Sequence, residues 1–177
     1  MTLTERIVTL HRALAARGLP HAFGGAIALA YATANPRGTD DIDVNVFVPT
    51  EEAARALDSL PEGVVQPAGT AERVAREGQI RLWWDDIPVD LFFDYAPVHA
   101  DAARNRRMVP FAGTQIPVLG PVELAVFKIM FDRFKDWVDV QTMHESETLD
   151  VAAVRRALAP MLAPDDRRFA RLDEVVG

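Results

Sequence analysis

From Asp41 to Val46 polar and apolar residues alternate: Ile42, Val44 and Val46, continued by Val48, form one row, and Asp41, Asp43 and Asn45 form the other. Side chains on a strand change face at every residue, so this segment predicts a strand with its apolar row in the core and its carboxylates on the opposite face. Upstream the period becomes helical. Ile7, Leu10 and Leu14 follow Thr2-Leu3-Thr4-Glu5, which has capping-box spacing, and Gly18 and Pro20 close the segment. His21-Ala22-Phe23 reads as a very short strand running into a Gly24-Gly25 turn. An alanine-rich helix from about Ala26 to Ala34 follows and ends at the loop Asn35-Pro36-Arg37-Gly38.

Beyond the carboxylate strand, Thr50 reads as the N-cap of a helix with Glu51 and Glu52 in its first turn and Pro61 at its end. Two strand patterns between Gln79 and Phe93 meet at Asp85-Asp86, a dipeptide suited to a tight turn, and predict a β-hairpin. The polar, basic stretch from His99 to Met108 reads as loop, and a short strand is expected near Gln115 to Leu119. Gly120-Pro121 then opens a long helix to about Met143, with proline where its missing N–H costs nothing, and a last helix covers Thr148 to Leu158. The order predicts a mixed α/β (α+β) fold, a small mixed β-sheet flanked by helices. Residues 1–120 form its first domain and 121–177 a helical C-terminal region packed on it.

Composition narrows the chemistry. With 177 residues, 49% of them hydrophobic, the chain can bury a proper core. No run of about 18 apolar residues occurs, and the N-terminal turns are charged, so neither a membrane span nor a signal peptide is supported; a cytoplasmic protein with no membrane partner is expected. The absence of cysteine excludes disulfides, thiolate metal sites and a cysteine nucleophile. A net charge of -7 argues against a broad, nonspecific grip on nucleic acid, which draws most of its energy from Lys and Arg on phosphates.

Two aspartates on one strand face, Asp41 and Asp43, suit Mg²⁺, a hard cation that takes oxygen ligands and borrows others from substrate phosphates. The upstream Gly24-Gly25 turn suits those phosphates, because backbone without Cβ atoms can approach closely and the N–H groups opening a helix attract anions. Asp90 lies between Val89 and Leu91 on an apolar strand, where an unpaired carboxylate would be costly; it calls for a cation or a hydrogen-bonding partner. Asp94 shares its parity but lies nearer the strand end and ranks second.

Over residues 20–140 the chain resembles the nucleotidyltransferases of the DNA polymerase β-like fold. Their motif is a Gly-Gly or Gly-Ser turn, a helix, Asp-hydrophobic-Asp on a strand and a third Asp on a later strand; here Gly24, Gly25, Asp41, Asp43 and Asp90 match it. The stretch RGTDDIDV is similar to that of aminoglycoside nucleotidyltransferases and of AbiEii-like toxin nucleotidyltransferases, and FKIMFDRFKDWVDV is similar to a helix of the toxin-like group. The resemblance implies a catalytic domain over 1–120 that moves a nucleoside monophosphate from an NTP to an acceptor hydroxyl with release of pyrophosphate. It also implies two Mg²⁺ ions on Asp41, Asp43 and Asp90, and nucleotide contacts from Gly24, Gly25, Arg37, Thr39, Lys128 and Lys135. The acceptor would be a small molecule or RNA, and a toxin-like member would carry an antitoxin protein as partner. A module of the same fold that binds metal or nucleotide without catalysis is the third reading.

Each residue also has a plainer reading. Asp41 and Asp43 could decorate a solvated edge strand, and Asp90 could pair with a neighbouring arginine such as Arg81. Lys128, Asp132, Lys135 and Asp139, at spacings of three and four, could form a laced, exposed helix face. Arg104, Arg106 and Arg107 read as solvated loop, the three tryptophans as core or interface, and the four histidines show no metal-ligand spacing.

Overall fold

The elements fold around one seven-stranded sheet in the computed structural model, which describes residues 1–177. In chain order the elements begin α1 (Leu3–Ala16), β1 (His21–Phe23), α2 (Gly25–Thr33), β2 (Ile42–Pro49), a 3₁₀ turn (Thr50–Glu52), α3 (Ala53–Leu57), β3 (Val64–Val65) and α4 (Thr70–Glu77). They continue with β4 (Gln79–Trp84), β5 (Ile87–Asp94), α5 (Pro97–Asn105), β6 (Arg107–Phe111), β7 (Thr114–Val118), α6 (Pro121–Phe131), α7 (Phe134–Glu145), α8 (Val151–Leu158) and α9 (Arg167–Val176). The result is a mixed α/β fold. At its start the Thr2 hydroxyl accepts from the Glu5 N–H while the Glu5 carboxylate accepts from the Thr2 N–H, closing the capping box.

The strands run in the order β3-β4-β5-β2-β1-β7-β6. β2 is central, antiparallel to β1 and parallel to β5, so its carboxylates do not decorate an edge. Ile42, Val44 and Val46 are wholly buried on one face, as their alternation requires. The hairpin forms as read: with a two-residue turn at Asp85-Asp86, Trp84 pairs with Ile87 and the register counts back to place Arg81 opposite Asp90.

Four expectations fail for local reasons. The helix expected from Thr50 to Pro61 is a 3₁₀ turn followed by the short α3, and Thr50 makes no side-chain cap. The long helix expected from Gly120 to Met143 breaks at Asp132, which adopts the left-handed conformation (φ 55°); Asp tolerates that geometry better than bulkier residues, and no Gly or Pro announces it. The stretch His99–Met108 is not loop: it completes α5 and begins β6, an edge strand in which only Val109 is buried, so no alternation marks it. The last expected helix starts later, at Val151, where the Asp150 carboxylate caps the Ala153 N–H, and α4 and α9 went unpredicted.

Candidate functional site

The parallel register of β2 and β5 sets Asp43 directly beside Asp90, and Asp41 lies at the mouth of β2 with the same parity. One carboxylate oxygen from each of the three lies within 4.8 Å of the other two. Burial, then the neighbouring charges of Asp41 and Asp90, pushes the Asp43 carboxyl up to about 6. A divalent cation would relieve that crowding, and three carboxylate oxygens are the donor set a hard ion prefers.

The glycine turn is built around the same carboxylate. Gly24 donates its N–H to the Asp43 carbonyl at 2.9 Å, and Gly25 opens α2 with φ +50°. A Cβ at Gly25 would sit 1.8 Å from Asp43 Oδ2, so residue 25 must lack a side chain for Asp43 to keep its position. The Thr39 hydroxyl donates to Asp41 Oδ1 at 2.6 Å and holds that carboxylate at the end of its loop.

The pairing with Arg81 forms at Asp90. Asp90 belongs to the carboxylate cluster and also accepts a two-pronged hydrogen bond from Arg81, Nε to Oδ1 at 2.8 Å and Nη2 to Oδ2 at 2.6 Å. Neither Asp41 nor Asp43 has such a cation.

These groups open onto a cavity of about 800 Å³ that also receives Arg37, Lys128, Arg133 and Lys135 from the loop and from α6 and α7. Lys128 and Asp139 are not on an exposed face: both are buried, and Lys128 Nζ donates to Asp139 Oδ2 at 2.6 Å. The same oxygen accepts from Arg37 Nη2 at 2.9 Å, tying the Thr39 loop to α7. Arg133 is held by buried Asp136. Asp132 instead accepts from Trp137 Nε1 and pairs with Arg167 of α9, while Lys135 is exposed at the cavity. Asp94 does not reach the cavity.

Two features escaped the sequence reading. Asn45, next in the Asp41-Asp43 row, is 3% exposed and lines the cavity, yet its Oδ1 has no hydrogen-bond partner. Asp136 and Asp139 hold the site's cations, a role that spacing along one helix could not suggest once the helix breaks. The histidines stay apart from the cavity; His11 Nδ1 and His21 Nε2 meet at 2.9 Å, and burial lowers His21 to about 4.

No family model matches the chain, and no curated protein matches it in sequence. Solved structures do. The antibiotic-resistance factor ANT(2'')-Ia superposes in solution with TM-score 0.62 at 16% identity, over 97% of this chain and 95% of that one. The fold is that of the nucleotidyltransferases. The same factor in complex with adenylyl-2''-tobramycin gives TM-score 0.56 at 15% identity, over 99% and 97% of the two chains. An antigenic nucleotidyltransferase-like protein from Paracoccidioides brasiliensis gives 0.55 at 15% identity, over 96% and 92%. In this nucleotidyltransferase fold the three carboxylates and the glycine turn share one cavity.

Proposed function

We propose that the chain is a Mg²⁺-dependent nucleotidyltransferase that moves a nucleoside monophosphate from an NTP to a hydroxyl of a small polar acceptor. The observation that carries this reading is the convergence of Asp41, Asp43 and Asp90 beside the Gly24-Gly25 turn in a nucleotidyltransferase fold. Mg²⁺ at this cluster, held by Asp41 and Asp43, would supply charge against the triphosphate and the reacting hydroxyl.

The chain's own groups do the rest. The start of α2 at Gly25 receives the β- and γ-phosphates on backbone N–H groups, and exposed Arg37 and Lys135 face the same anion. Asp90 accepts the acceptor's hydroxyl proton as the bond from that oxygen to the α-phosphorus forms and the bond to pyrophosphate breaks. Lys128 acts at one remove, through Asp139 and Arg37, by fixing the loop that carries Thr39 and Asp41. Residues 1–120 thus supply the carboxylates, the turn, Arg37 and Arg81, and 121–177 supply Lys128, Arg133 and Lys135 with the counter-charges Asp136 and Asp139. A small acceptor accords with the net charge of -7, which disfavours RNA. The neighbour bound to adenylyl-2''-tobramycin supports the same class.

The test is incubation with Mg²⁺ and each α-labelled NTP against a panel of hydroxyl-bearing small molecules, aminoglycosides included, with an RNA pool as counter-arm. Label should pass to a small acceptor with wild type and not with a folded Asp43→Asn variant. Transfer that survives Asp43→Asn would contradict the reading, and transfer to RNA alone would overturn the acceptor class.

A further inference from the structure

Across three adjacent strands, one row of the cavity floor reads Arg81, Asp90, Asp43. The β-hairpin sets Arg81 opposite Asp90, and both guanidinium prongs are spent on the two Asp90 oxygens, at 2.8 and 2.6 Å. This is the planar, bidentate match that makes Arg a fixed partner for a carboxylate rather than a passing one. Asp90 is also the better shielded partner, with its side chain 14% exposed against 54% for Arg81. By contrast Asp41 and Asp43 share the cluster with no cation of their own, and Asp43 is the member that crowding affects. Arg81 therefore leaves the cluster with two uncompensated negative charges, the charge of one divalent ion. A second ion bridging Asp43 and Asp90 would have to approach a guanidinium already seated on both Asp90 oxygens, against its positive charge.

We propose that Arg81 stands in for a second metal: the cluster takes one divalent cation, on Asp41 and Asp43, and Arg81 holds Asp90 oriented at the acceptor side. This deepens the nucleotidyltransferase reading and rests on it. Arg81 is a positioning residue, because it acts through Asp90. Its long side chain is half in solvent, so removing it does not open the core.

The experiment counts Mn²⁺ ions bound to the whole protein, without nucleotide, by the loss of the free-ion electron paramagnetic resonance signal. Wild type should bind one ion per chain. Arg81→Gln should bind two, and its first ion more tightly by on the order of tenfold. Arg81→Lys keeps the charge and should stay at one. Asp43→Asn should bind at least tenfold more weakly, which tests the cation site itself. Two ions of similar affinity on wild type, or one ion on Arg81→Gln at unchanged affinity, would overturn the role of Arg81 while leaving the cation site intact. No Mn²⁺ on wild type would overturn both. Circular dichroism of each variant establishes that the fold is retained.

Discussion

On the sheet, Asp41 and Asp43 stand together with only the Thr39 hydroxyl between them and bare charge, and the Asp43 carboxyl rises to about 6. On the helices of the same cavity, Asp139 and Asp136 are buried more deeply, yet each meets a cation: Lys128 and Arg37 for the first, Arg133 for the second. The two regions show what burial does to a carboxylate with and without a partner. The helical acids are neutralised by side chains and serve to place them. The sheet acids Asp41 and Asp43 have no side-chain cation beside them, the feature on which the proposed cation site rests.

The comparison breaks most sharply at Asp139. Replacing it by Ala strands Lys128 as a buried charge, and urea unfolding should show a loss of about 3–5 kcal/mol, partly recovered in the Asp139→Ala/Lys128→Met double variant. An unchanged midpoint would mean that the helical pair is not the closed unit described. Next comes Gly25→Ala. It imposes about 1–2 kcal/mol of strain at a left-handed position and displaces Asp43, so both the unfolding midpoint and Mg²⁺ binding should fall.

Asp43→Asn should do the reverse of an ordinary site mutation. Because the folded pKa of Asp43 lies above its unfolded value of 3.8, ionised Asp43 costs stability above pH 6, and that cost fades as pH falls toward 4. Without metal, the asparagine variant should therefore be more stable than wild type at pH 7, by no more than about 3 kcal/mol, with the gap closing near pH 4. The difference between the two proteins is the quantity to follow. Buried His21, whose pKa is lowered to about 4, works in the opposite sense: as pH falls from 6.5 toward 4 the unfolded chain takes up a proton that the folded chain refuses, so stability is lost, and equally in both proteins. The smallest expected effect is at Asn45: Leu in its place removes an unsatisfied buried amide and should raise stability by about 1 kcal/mol, read from the same unfolding curves.

Much of this site was legible before the fold. Alternation placed Asp41 and Asp43 on one face, and the two-residue turn at Asp85-Asp86 sufficed to bring Arg81 opposite Asp90. Other pairings were not legible. The parallel register that sets Asp43 beside Asp90 depends on a crossover of some forty residues, and no local signal encodes it. The partnership of Lys128 with Asp139 depends on the break at Asp132, where an ordinary Asp takes a left-handed turn and redirects α7. The helix α5 and strand β6 were hidden for a different reason. Their exposed faces carry Arg104, Arg106 and Arg107, and too few buried positions remain to show a period.

The most direct test of the uncompensated carboxylates is Mg²⁺-dependent stability at pH 7.5, wild type against Asp43→Asn, by urea unfolding. Wild type should gain about 1.4 kcal/mol at tenfold the dissociation constant, while the asparagine variant starts higher and gains almost nothing. An equal gain in both proteins, or none in either, would contradict the assignment of these carboxylates to a cation.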